Sequence, residues 1–84
     1  MNKVEWTKRA HRQLREIPDD YKLKILEKVD LLENYPQCAG DIKQLANRPE
    51  KRLRVGRYRV IFNHDAGVKI ISIEEVKKRD DRTY

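Results

Sequence analysis

Cysteine is nearly absent. Cys38 is the only one in the chain, which excludes an intrachain disulfide and a cysteine-based zinc site and suits a reducing compartment. Nothing beside it marks an activated nucleophile, so it reads as a free thiol. Long apolar runs are missing too. No stretch approaches the roughly 18 residues that a membrane span needs, and Met1 to Trp6 lacks the apolar segment of a signal peptide. These absences predict a soluble, cytoplasmic protein with no membrane contact. Histidine, the usual general base, occurs only as His11 and His64. Two histidines separated by most of the chain make no metal site, and both read as solvent-exposed, one on the first helix and one in a turn. No repeat, low-complexity tract or domain boundary interrupts residues 1–84, which read as one small domain.

Charge is what the chain has in quantity. Charged residues make up 40% of it, with 20 Lys and Arg against 14 Asp and Glu, a net charge of +6. That balance favours an anionic partner without choosing among nucleic acid, acidic protein and anionic membrane surface. The cations concentrate in Lys51-Arg52-Leu53-Arg54-Val55-Gly56-Arg57-Tyr58-Arg59-Val60-Ile61-Phe62. Strands repeat every two residues, so alternation sends Arg52 and Arg54 to one face and Leu53 and Val55 to the other. Gly56 falls where a tight turn or bulge needs a residue without Cβ. Beyond it Arg57, Arg59 and Ile61 alternate with Tyr58, Val60 and Phe62. One face suits a core; the guanidinium face suits a partner rich in phosphate.

Around this stretch the chain reads in order. Lys3 to Trp6 is a short strand, with Val4 and Trp6 on one face. Thr7 offers a helix N-cap. Residues 8–16 carry Ala10, Leu14 and then Ile17 at helical spacing. Pro18-Asp19-Asp20 opens a second helix, proline and acidic residues both suiting a first turn. That helix runs to about Asn34 on the stripe Ile25, Leu26, Val29 and Leu32. Residues 36–50 read as a connection anchored by Ile42 and Leu45. After the arginine strands, Asn63 to Gly67 reads as a turn, Val68 to Ile73 as a last strand and Glu74 to Tyr84 as a polar tail. Glu74 and Glu75 read as charge balance at a strand end. The fold class predicted is α+β, in the order β-α-α-β-β-β. An N-terminal helical hairpin packs on one face of a small, mainly antiparallel sheet and leaves the other face to the arginines.

Arg52 to Phe62, with its Arg-Val-Gly-x-Tyr-Arg core, and the cluster Lys77-Lys78-Arg79 followed by Tyr84 together resemble the RelE/ParE superfamily of toxins from bacterial type II toxin–antitoxin systems. The resemblance extends over essentially the whole chain. It implies one of two activities. RelE-type toxins are mRNA interferases that cut messenger in the ribosomal A site without a metal or other cofactor; ParE-type toxins poison DNA gyrase. For the RelE branch, which is the one favoured, the resemblance implies catalytic roles for Arg59, Arg79 and Tyr84. It assigns phosphate binding to Arg52 and Arg54, with Arg57, Lys77 and Lys78 as further cations. Where relatives often carry another lysine, two residues before the Arg52–Arg54 pair, this chain has Glu50. Implied partners are a cognate antitoxin with an acidic or amphipathic binding segment, the ribosome and mRNA, or gyrase in the alternative. Free RNA is expected to be a poor substrate.

The chemistry of these side chains is consistent with that assignment and limits it. An arginine keeps its proton at any working pH, its ordinary pKa lying above about 12, so it binds phosphate and stabilises developing charge but is a poor base. Tyr84 is the candidate for proton transfer, since nearby arginines favour a phenolate; stacking on a base is its other role. A basic nucleic-acid-binding module without toxicity is the remaining reading, and growth arrest on expression separates it from both toxins.

Overall fold

The computed structural model describes residues 1–38 and 40–78. Strand β1 (Lys3–Trp6) leads to helices α1 (Lys8–Arg15) and α2 (Asp19–Asp30), and then to a short 3-10 helix at Leu31–Asn34. Strands β2 (Asp41–Gln44), β3 (Lys51–Val55), β4 (Tyr58–Asp65) and β5 (Ile70–Lys78) follow. The five strands form one sheet in the order β1-β5-β4-β3-β2. Only β1 is parallel to its neighbour; the other pairings are antiparallel. The helical hairpin on a mainly antiparallel sheet is the predicted architecture. The connection over residues 36–50 holds one additional short edge strand, β2. Among the described residues no helix is long and apolar enough to cross a membrane.

Local chemistry explains where the elements start. The Thr7 hydroxyl accepts from Ala10 N at 3.1 Å, which satisfies one of the free amides at the start of α1. The same hydroxyl donates to Glu74 O at 3.3 Å, tying the helix start to β5. Helix α2 begins after Pro18, with Asp19 and Asp20 in its first turn favourably placed for the helix dipole. It tightens into the 3-10 turn after Asp30 instead of continuing as α-helix to Asn34. Gly56 adopts φ +56° at the first position of the two-residue turn between β3 and β4, a conformation that a side chain disfavours.

One sheet face is the core. Leu53, Val55, Val60, Phe62, Ile71, Ile73 and Val76 are buried there beneath Ala10, Leu14, Ile25, Val29 and Leu32 of the helical layer. Phe62 is fully buried near the centre of the sheet, and the Tyr35 ring meets it edge-on at 5.4 Å. Strand β5 departs from the predicted polar tail, because it continues through Glu74 and Glu75 to Lys78. A register shift makes this possible. Ile61 faces Glu75 while Phe62 faces Ile73, leaving Glu74 as the extra residue of a β-bulge. The bulge returns Val76, three residues after Ile73, to the core face.

The edge of β5 changes partner partway along. β1 pairs with residues 70–73 only. Beyond them Thr7 N donates to Ile73 O at 3.1 Å, and the Gln13 side-chain oxygen accepts from Val76 N at 2.7 Å. Helix α1 thereby closes an edge that would otherwise be open.

Two substitutions test this account. Phe62→Ala is expected to lower unfolding free energy by about 3–5 kcal/mol in urea titration, since it leaves a cavity that the sheet cannot collapse into. Thr7→Ala is expected to cost about 1 kcal/mol, with Thr7→Ser close to the parent.

Candidate nucleic-acid interface

The face of the sheet that the helices leave uncovered carries two rows of side chains, set by strand register. Arg54 on β3 lies opposite Asp41 on β2 and Arg59 on β4, and Arg59 lies opposite Lys77 on β5. One step along, Lys43, Arg52, Ile61 and Glu75 form a second row. Directly opposed residues on neighbouring strands stand about 5 Å apart at Cβ. Three cations on three adjacent strands therefore share one small surface.

Their surroundings differ. Arg54 is exposed and makes no ion pair among the described residues. Arg52 is largely covered and pairs with Asp41 at 3.3 Å. Arg59 is half-buried. The Nε atoms of Arg52 and Arg59 are enclosed without a hydrogen-bond partner. Between the rows lies a cleft of about 80 Å³ lined by Leu45, Arg48, Arg59, Ile61, Glu75 and Lys77. Ile61 is its apolar floor, 6% exposed although it points away from the core.

Glu75 is the acidic component of this cleft. Its Oε1 lies 3.2 Å from Arg9 Nη2 of α1 and 3.1 Å from Lys77 Nζ. These are charge contacts whose directions fall short of hydrogen bonds. The carboxylate is thus engaged in charge balance, as its sequence position suggested, but inside the cleft and with a helix residue as one partner. The bulge at Glu74 is what turns it onto this face. Glu75, Arg9, Leu45 and Arg48 were not among the predicted site residues. The spacing of Ile71, Ile73 and Val76 is the one sequence signal that marks Glu75 as a strand residue.

The remaining predicted residues divide. Arg57 is exposed in the β3–β4 turn, at the end of the cationic surface. Lys78 lies opposite Tyr58, hence on the helix-covered face and not with Lys77; adjacent strand residues point to opposite sides. Arg79 and Tyr84 lie outside the described residues. His11 is exposed on α1. His64 differs from expectation: it belongs to β4, not to a turn, and is half-buried with Nε2 3.2 Å from Asn2 Oδ1. Asn2 donates its side-chain amide to Leu32 O and Tyr35 O, so its oxygen accepts and His64 Nε2 carries the proton.

A larger cavity of about 440 Å³ borders His64, Asn2, Tyr35 and Lys69. It lies five residues along β4 from Arg59, about 16 Å away, and separate from the cationic rows. Cys38 is half-buried, and burial pushes its thiol pKa up, away from nucleophile character. Burial also raises the Tyr35 pKa, with a smaller contribution from the charge of Cys38. Among the described residues no group of three or more His, Cys, Asp or Glu side chains is arranged to hold a metal ion.

Comparisons with known proteins bear on the family and the fold. The family model described as ParE toxin of type II toxin–antitoxin system matches residues 4–82. A search of curated protein sequences gave no match. Among solved structures, the archaeal RelE–RelB complex of Pyrococcus horikoshii contains a chain 28% identical. The match covers 95% of this chain and 97% of that one, with a TM-score of 0.81. The RelBE2 toxin–antitoxin complex of Mycobacterium tuberculosis aligns at 23% identity over 93% of this chain and 98% of that one, with a TM-score of 0.78. The isolated E. coli RelE toxin shares the fold at 13% identity, covering 99% of this chain and 89% of that one, with a TM-score of 0.81. The chain belongs to the ParE toxin family of type II toxin–antitoxin systems, within the RelE/ParE superfamily.

Arg59 faces a like charge on each side, Arg54 and Lys77, and directly opposed like charges are destabilising. Arg59→Gln is therefore expected to raise unfolding free energy by about 0.2–1 kcal/mol. A urea titration in low salt showing a loss of stability would refute this electrostatic account.

Proposed function

We propose that this toxin is a ribosome-dependent mRNA endoribonuclease. The observation that carries the reading is the row Arg54–Arg59–Lys77, which runs across three strands of the uncovered sheet face beside a cleft. Opposed cations oppose folding, and a site that keeps them has a use for concentrated positive charge. A bent RNA backbone supplies the matching anions.

In the reaction proposed, the 2′-oxygen attacks the adjacent phosphorus and the bond from phosphorus to the 5′-oxygen breaks. The products are a 2′,3′-cyclic phosphate and a free 5′-hydroxyl. The 2′-hydroxyl proton leaves to a base, and the departing oxygen gains one. Arg59 and Arg54 hold the scissile and flanking phosphates and stabilise the charge that grows on the non-bridging oxygens. Arg52 and Arg57 extend the binding surface. Arg79, next in sequence to β5, and Tyr84 complete the site in this reading, with Tyr84 moving the proton or orienting the base. Lys78 is left out, because it points to the other face.

The description of the matched family favours a second reading, a ParE-like gyrase inhibitor that binds without chemistry. Either way the proposed partner is a cognate antitoxin, as in the RelE–RelB complexes to which the fold is similar. An acidic segment laid across the cationic row would neutralise it and exclude phosphate.

Purified protein incubated with programmed ribosomes, with messenger ends mapped by primer extension, tests the nuclease reading. Cuts within the A-site codon are expected, with free RNA cut poorly and Arg59→Ala slower by about 100-fold or more. Intact messenger would refute it, and gyrase-mediated DNA cleavage is then the assay for the second reading.

A further inference from the structure

Beyond Phe62, strand β5 has two ways to pair with β4, and the difference decides what stands beside Arg59. Continued without a break from the Phe62–Ile73 pair, the ladder would set Glu75 opposite Val60 beneath the helices, Val76 opposite Arg59 and Lys77 opposite Tyr58. A slip of one residue turns every side chain to the other face. With Glu74 as the bulge, Val76 stands opposite Val60 and Lys77 opposite Arg59. The side chains favour this register, since it buries Val76 in place of a carboxylate. The backbone does not. The outer edge of this stretch lies beyond the reach of β1, and a bulge disrupts the ladder on the inner side.

Helix α1 and its cap supply partners there, one to each of four successive residues. Thr7 N donates to Ile73 O and the Thr7 hydroxyl donates to Glu74 O. The Arg9 guanidinium lies against the Glu75 carboxylate, and the Gln13 side-chain oxygen accepts from Val76 N. The last contact is the shortest of the four, at 2.7 Å, and falls next to Lys77 in the chain. Gln13 is half-buried, and its side chain stands in for the carbonyl of a neighbouring strand. We propose that Gln13 is a positioning residue of the phosphate site: it fastens β5 just after the bulge and so holds Lys77 in the row with Arg59. This role rests on the use of the row as a phosphate site, the reading proposed above. A half-buried amide left unpaired is costly. Without the Gln13 oxygen, Val76 N reaches water only when the strand end lifts from α1, and Lys77 moves with it.

The test is fluorescence anisotropy of the full chain with a labelled single-stranded RNA, read as log affinity against log salt. On a single strand one phosphate contact contributes about 0.7 to that slope, and about fivefold in affinity at about 0.1 M salt. Gln13→Leu nearly keeps the size and removes the acceptor. It is expected to lose that much, as is Lys77→Gln. The double change is expected to lose no more than Lys77→Gln alone, because both act through one cation. Gln13→Glu keeps the oxygen and is expected to restore the slope. Hydrogen exchange of the Val76 amide, followed by NMR, is expected to quicken about tenfold or more in Gln13→Leu and not in Gln13→Glu. Melting curves verify folding, and Gln13→Ala carries the same expectations if Gln13→Leu is unstable. An unchanged slope in Gln13→Leu, beside a lowered one in Lys77→Gln, overturns the role of Gln13 and leaves the phosphate row standing. Additive losses in the double variant do the same, since a merely structural residue adds its effect to that of Lys77. If Lys77→Gln is itself without effect, the phosphate row fails and the role of Gln13 fails with it.

Discussion

Everything in this molecule depends on a single constraint: a five-stranded sheet with only two short helices to cover it. The helices bury one face, and Phe62 anchors that layer near its centre. Strand periodicity then commits every second residue of β3 and β4 to the other face. In the reading proposed, the phosphate-binding arginines of β3 and β4 occupy those alternate positions. The core residues Leu53, Val55, Val60 and Phe62 cannot be placed without also placing Arg52, Arg54, Arg59 and Ile61. Core and site are two readings of the same two strands.

The cost of that arrangement falls on the uncovered face. Like charges stand opposite one another across β3, β4 and β5, and the fold tolerates them through the buried face and a few compensating contacts. Asp41 pairs with Arg52 at one side, and Glu75 holds Lys77 at the other. Arg59, in the middle, has neither contact. Arg59 lies where the cleft opens, beside the apolar floor of Ile61. The folded edge segment helps to shape the cleft, since Leu45 and Arg48 line it, and Gln44 donates to the carbonyls of Arg48 and Glu50.

Most of this was legible because periodicity is loud where one face is buried. The alternation from Lys51 to Phe62, the Thr7 cap and the α2 stripe all appear where residue chemistry places them. The elements that were missed lack such a contrast. Strand β2 has one apolar residue, Ile42, and exists because β3 offers it a free edge; no pattern within Asp41 to Gln44 announces it. The end of β5 is masked by Glu74 and Glu75, which look like a tail until the bulge shows how Ile73 and Val76 can both face inward. His64 sits among turn formers, yet Asp65 is the residue that closes the turn, accepting from Gly67 N and Val68 N. The contact of Arg9 with Glu75 joins residues far apart in the chain, and local sequence carries no trace of it.

A cationic row binds, but binding is not proton transfer, and this distinction separates the two toxin chemistries that the fold family contains. Guanidinium and ammonium groups arrive already protonated, so they stabilise charge without accepting a proton. Among the described residues lining the cleft, Glu75 is the only carboxylate, and it is held between Arg9 and Lys77. Neither histidine lines it: His11 is exposed on α1 and His64 is tied to Asn2 at the far end of β4. If messenger is cut, a proton acceptor is needed beside the row; the carboxylates on this face, Asp41 and Glu75, are both engaged by cations among the described residues. If gyrase is the target, no such group is needed, and the same row serves as a docking surface alone. The arginine row supplies phosphate binding in either reading, and the nuclease reading needs in addition a group that accepts a proton.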